Sequence, residues 1–184
     1  MSPQDSLSNI VDALNAAGIE YMLTGSLASS LYGTPRATRD IDLVIVANAE
    51  QIRQLKALLP EEDYYFDLED ALEAVRRFSQ FNVIEQLTMW KVDLILRKDT
   101  PYDHTAFERR VELDHQGLRV VVTSPEDSIL SKLRWAQSTD SEAQRRDVAG
   151  ILRERRETLD RGYIEHWIGL LDLQAQWDQA NRLV

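Results

Sequence analysis

The sequence predicts an α/β protein: a small mixed sheet of about four to five strands flanked by helices, followed by a helical C-terminal subdomain. Three observations lead there. Short β-branched runs alternate with amphipathic stretches up to about residue 123. Beyond that point only helical periodicity remains. The chain of 184 residues has 43% hydrophobic residues, enough to build a core and too many for a disordered segment. The expected division is a core over residues 1–123 and a helical subdomain over 124–184 packed on it.

Each element has its own signal. Leu7, Ile10, Val11 and Leu14 recur at helical spacing, and Gly18 closes the segment. Tyr21–Thr24 is a short strand running into Gly25-Ser26, after which Leu27–Tyr32 forms a helix stopped by Gly33. Asp40–Val46 (DIDLVIV) is a β-branched strand. Asn48 caps an amphipathic helix that ends at Pro60. Phe81–Ile84 and Lys91–Leu96 are further strands, and Val111–Leu113 with Leu118–Thr123 make a hairpin.

The helical part opens on Ser124-Pro-Glu-Asp127, a cap followed by proline at the first helical position and an acid. Ser141–Gln144 reads as a second capping box. Tyr163, Ile164, Trp167 and Leu171 then share one stripe.

Composition narrows the function. The absence of cysteine excludes a disulfide scaffold, a zinc finger and a thiol nucleophile. No apolar run reaches the roughly 18 residues of a membrane span, and Met1–Ser8 lacks signal-peptide character, so the expectation is a cytoplasmic protein with no membrane partner. A net charge of −10 disfavours generic coating of nucleic acid. Seven of the 31 acids fall in residues 61–73, read as a solvated loop and helix start; without them 24 acids face 21 bases. Only four bases are lysines, which makes each lysine informative.

The stretch Tyr21–Val46 carries the chemistry. Gly25-Ser26 sits where a strand gives way to a helix, where free N–H groups can meet phosphate oxygens; the serine can equally cap the helix. Asp40 and Asp42 flank Ile41, so both carboxylates share one strand face. Such a pair either binds a hard divalent cation or forms a solvated strand end. Asp93 lies in an apolar strand, where it either pairs with an arginine or, beside Asp40 and Asp42, becomes a third acid. Arg36 and Arg39 can bind triphosphate or neutralise the two aspartates.

A Gly-Ser turn, a D-x-D strand and a later strand aspartate, in that order, resemble the DNA polymerase β-like nucleotidyltransferase superfamily. The local form GSLASSLYG…RATRDIDLVI is most similar to small bacterial nucleotidyltransferase-like proteins, including toxins of abortive-infection toxin–antitoxin pairs. It is less similar to aminoglycoside- or tRNA-modifying members. The resemblance implies the nucleotidyltransferase fold and transfer of NMP from an NTP, ATP by default, to a hydroxyl on RNA, protein or a small molecule. It implies Mg²⁺ or Mn²⁺, two ions with bound NTP, on Asp40, Asp42 and Asp93. Gly25 and Ser26 would hold phosphates, and a cognate antitoxin is implied as a partner.

In the tail, SPEDSILSKLRWA and SEAQRRDVAGIL are similar to segments in which a lysine and a basic-Asp pair complete the site. By position these are Lys132, Arg146 and Asp147. The pattern departs at Gly150, where another Asp is usual. Ile129, Leu130, Leu133 and Ala136 form the core stripe, leaving Lys132 at its edge; an ordinary Lys–Asp bridge between helices is the competing account. Trp90, Trp135, Trp167 and Trp177 are expected in the core. His104, His115 and His166 show no shared metal spacing, which disfavours a phosphodiesterase. A regulatory protein that keeps the fold without turnover is the alternative function; three intact acids argue against it.

Overall fold

The structure, a computed structural model, describes residues 3–35, 37–38, 40–115 and 117–184. These fall into two compact units. One comprises the chain up to Leu23 together with Thr38–Val122, the other Thr24–Ala37 with Thr123–Val184.

The first unit is built on a seven-stranded sheet with β1 (Glu20–Thr24), β2 (Asp40–Val46), β3 (Tyr64–Tyr65), β4 (Gln80–Glu85), β5 (Lys91–Leu96), β6 (Val111–His115) and β7 (Leu118–Val122), in the order β3-β4-β5-β2-β1-β7-β6. The sheet is mixed. β2 and β5 are parallel, as are β1 and β7, while β3–β4, β4–β5 and β6–β7 are antiparallel. The expected four to five strands are therefore too few. The predicted hairpin joins the main sheet through Leu23 opposite Val122, and β3 adds an edge strand of two residues. So short a strand, inside the acidic run, has no periodicity to betray it; its pairing with Glu85 and Ile84 makes it.

Helices α1 (Pro3–Ala16), α3 (Ala49–Leu58), α4 (Leu68–Arg77) and α5 (Pro101–Glu108) accompany the sheet. Leu7, Ile10, Val11 and Leu14 are buried as the spacing predicts. Asn48 closes a full capping box with Gln51 at the start of α3. Ile41, Leu43 and Ile45 are fully buried and meet Val92, Leu94 and Leu96 across the parallel β2–β5 ladder. Truncating one of these to Ala removes about 2–5 kcal/mol. In the acidic run Glu61, Glu62, Asp63, Asp67, Glu69 and Asp70 are exposed while Tyr64, Phe66 and Leu72 are buried, so the charge does face water.

The second unit is helical: α2 (Gly25–Tyr32), α6 (Pro125–Thr139), α7 (Glu142–Arg155), α8 (Arg161–Leu170) and α9 (Gln174–Asn181). Ile129, Leu130 and Leu133 are fully buried against α7, whose Val148, Ala149 and Ile151 are equally buried. Ser124 caps α6, its hydroxyl accepting from Asp127 N at 3.1 Å and donating to Asp127 Oδ2 at 2.7 Å. Tyr163 of α8 donates to Asp127 Oδ1 at 2.7 Å, tying α8 to that cap. Ser141 stands at the N-cap of α7 without a side-chain cap bond, so the predicted second capping box does not form. Of the tryptophans only Trp167 is buried; Trp135 is 58% exposed, contrary to expectation, because it lies off the Ile129–Leu133 stripe. Among the described residues no helix is long and apolar enough to cross a membrane.

Candidate active site

The predicted residues gather in two groups, one in each unit. In the sheet unit, β2 buries alternate residues, so Asp40 and Asp42 project from the face opposite Ile41, Leu43 and Ile45. The β2–β5 register places Asp42 beside Asp93 and Asp40 beside Lys91. Antiparallel pairing sets Asn82 of β4 opposite Asp93 on its other side. The three aspartates thus share one face of adjacent strands.

Asp93 is 8% exposed. Its Oδ2 accepts from Lys91 Nζ at 3.0 Å, and its buried Oδ1 has no hydrogen-bond partner among the described residues. Lys91 also lies 3.6 Å from Asp40 Oδ1. The hydrogen bond to Asp93 holds the Lys91 ammonium above the ordinary lysine range, against the opposing pull of burial. The cation beside Asp93 is thus a lysine two residues away, where one of the two readings of this aspartate named an arginine. Sequence reasoning passed over it, although same-face parity with Asp93 and the scarcity of lysines both marked it. Among the described residues no group of three or more acidic or imidazole side chains is placed, as it stands, to hold a metal ion.

In the helical unit, Gly25 takes φ +68°, a left-handed conformation that glycine adopts without strain, and α2 begins there. The N-cap is Thr24, which makes no side-chain cap bond, so Ser26 is not the cap. Instead Ser29 and Ser30 donate to the Ser26 carbonyl at 3.1 and 2.8 Å. The Ser26 hydroxyl stands 3.5 Å from Lys132 Nζ.

Lys132, its side chain 4% exposed, donates to Asp147 Oδ2 at 2.7 Å. Ser26, Lys132 and Asp147 therefore meet although 106 and 15 residues separate Lys132 from its two partners. Arg146 points away, bonded to Glu142 at 2.6 Å and largely exposed. Arg36 and Arg39 lie outside the described residues.

Gly150, the departure from the family pattern, lies against Gly33 and Thr34: a Cβ on Gly150 would stand 3.1 Å from Thr34 N. A side chain there would press on the Thr34 backbone, which disfavours the acid usual at this position. A cavity of about 400 Å³ in the sheet unit, lined by residues including Asp12, Ala13, Leu59, Asp63, Tyr64 and Leu87, contains none of the predicted residues.

Residues 6–150 match the model of a family described as a nucleotidyltransferase of unknown function, DUF6036. The chain belongs to that family. As a nucleotidyltransferase it shares its fold with solved structures of low identity. These include ANT(2'')-Ia in complex with adenylyl-2''-tobramycin (14% identity, 98% of both chains covered, TM-score 0.58). An antigenic nucleotidyltransferase-like protein from Paracoccidioides brasiliensis is similar at 19% identity over 93% of this chain and 90% of that one (TM-score 0.56). The lincosamide antibiotic adenylyltransferase LnuA, bound to lincomycin, is similar at 13% over 82% and 96% (TM-score 0.54). No curated protein matches the chain significantly.

Proposed function

We propose that this nucleotidyltransferase moves a nucleoside monophosphate from an NTP to a hydroxyl acceptor. The acceptor oxygen forms a bond to the α-phosphorus, the bond from that phosphorus to the bridging oxygen breaks, and pyrophosphate leaves. The acceptor proton passes to the Asp93 carboxylate. The observation that carries this reading is the buried, unpartnered Oδ1 of Asp93 on the same strand face as Asp40 and Asp42.

That oxygen also supports a metal. A buried carboxylate oxygen without a donor is costly, and a donor set made only of carboxylates suits a hard cation. Asp40, Asp42 and Asp93 would hold Mg²⁺ or Mn²⁺, two ions being expected with bound NTP. When bound, the metal neutralises the acids and withdraws charge from the phosphate oxygens.

The remaining residues act on the phosphates. Gly25 leaves the start of α2 open, and the Ser26 hydroxyl and neighbouring N–H groups bind β/γ-phosphate oxygens. Lys132, within reach of Ser26, supplies positive charge to the same oxygens. Asp147 orients Lys132 rather than touching nucleotide itself, since their side chains are already bonded. Arg36 and Arg39 are proposed to contact the triphosphate.

Nucleotidyl transfer is separated from phosphoryl transfer by the position of the label. With a cell lysate as acceptor, α-phosphate-labelled NTP should label a macromolecule or small molecule in the presence of Mg²⁺, and γ-labelled NTP should not. Whether label enters RNA, protein or a small molecule identifies the acceptor class. Asp42→Ala should abolish labelling; persistence of label in that variant refutes the assignment. Growth arrest on expression, relieved by a co-encoded protein, would establish the toxin role, and its absence would remove it.

A further inference from the structure

Lys91 opens β5 two residues before Asp93, so strand alternation sets both on one face. Its ammonium lies 3.0 Å from Asp93 Oδ2 and 3.6 Å from Asp40 Oδ1. One monovalent cation thus bridges two of the three carboxylates assigned to the metal. The Lys91 side chain is 39% exposed and that of Asp40 51%. Screening at such exposure makes the bridge weak, and the flexible four-carbon stem can leave it.

We propose that Lys91 is a tethered counter-cation: it neutralises the Asp40–Asp93 pair in the metal-free protein and must swing away when a divalent cation binds, thereby setting the affinity for metal. The inference rests on the metal-dependent reading above. A divalent ion on the same carboxylates would lie within a few ångströms of the ammonium, and like charges that close repel. Metal binding therefore has to displace an existing pair, and the cost of doing so lowers affinity. Removing the lysine charge removes that cost; replacing it with another charge does not.

The test is Mn²⁺ binding without nucleotide, measured from the electron paramagnetic resonance of the free ion, for wild type, Lys91→Gln, Lys91→Met, Lys91→Arg and Asp42→Ala. Expected are binding by wild type, about three- to tenfold tighter binding by Lys91→Gln and Lys91→Met, affinity within about twofold of wild type for Lys91→Arg, and loss in Asp42→Ala. Without metal, Lys91→Gln should melt lower than wild type, and Mn²⁺ should raise it by more. Equal affinities in wild type and the two neutral variants, with loss in Asp42→Ala, would overturn the role of Lys91 and leave the metal reading intact. Failure of all variants and wild type to bind Mn²⁺ would overturn both. Binding by Lys91→Gln but not by wild type supports displacement in its strongest form.

Discussion

Gly33, at the end of α2, meets Gly150 of α7 backbone to backbone: a Cβ on Gly33 would lie 2.8 Å from the Gly150 carbonyl carbon and 2.7 Å from Ile151 N. This contact brings the helix carrying Ser26 against the helix carrying Asp147, and it explains why two small residues occur there.

The two glycines should differ in their response to alanine. Gly33→Ala requires backbone to move and should lose about 1–3 kcal/mol of stability. Gly150→Ala meets Thr34 N at 3.1 Å and Thr34 Oγ1 at 3.2 Å, a milder overlap offset by about 1 kcal/mol of improved helix propensity. Gly150→Asp should cost clearly more than Gly150→Ala. Urea denaturation of the three variants gives the order.

The aspartate face should respond to metal. Adding millimolar Mg²⁺ or Mn²⁺ should raise the melting temperature of wild type, by the equivalent of about 2.7 kcal/mol when the ion is at a hundred times its Kd. Asp93→Asn and Asp42→Asn should lose that increment. A wild type insensitive to both ions, even with NTP present, would count against a working centre.

The Lys132–Asp147 pair is almost fully buried, with side chains 4% and 8% exposed. Lys132→Met leaves the carboxylate without its ammonium and should destabilise by about 3–5 kcal/mol. Combining it with Asp147→Leu should restore most of that loss, because an apolar pair replaces an ionic one at similar volume. NTP binding should stay impaired in the double variant. Recovered stability together with recovered binding would reduce the pair to a helix–helix bridge.

Tyr32 should make the fold sensitive to alkali. Its hydroxyl donates to the Thr123 carbonyl at 2.8 Å, and burial pushes its pKa from 10.0 up to about 12, only partly opposed by Arg155. The folded state therefore favours the protonated phenol more than the unfolded chain does. The resulting stability is fully present below about pH 10 and is lost as pH rises toward 12, amounting to about 2–3 kcal/mol. Tyr32→Phe should be weaker at neutral pH by about 1 kcal/mol for the lost hydrogen bond, and should lack this alkaline decline. Stability curves across pH 8–12 check both.

Much of this was legible locally. The period-2 pattern of DIDLVIV is enough to put Asp40 and Asp42 on one face, and burial of Ile41, Leu43 and Ile45 follows from the same alternation. Helical spacing likewise identified Leu7–Leu14 and Ile129–Ala136, since one buried stripe must repeat every 3.6 residues. The order of turn, acid pair and later acid sufficed to place the chain among nucleotidyltransferases.

What the sequence could not decide depends on which distant segments meet. The two-residue β3 exists only because Tyr64 and Tyr65 find Glu85 and Ile84. Lys91 becomes the partner of Asp93 and Asp40 only once β5 lies parallel to β2 in one particular register. Ser26 reaches Lys132 across 106 residues, and Gly33 is confined to glycine only because α7 lies against it. Periodicity and turn chemistry act over a few residues and are written in the chain itself. Strand register, buried ion pairs and backbone contacts between helices belong to packing, and packing is settled only when the whole chain closes on its core.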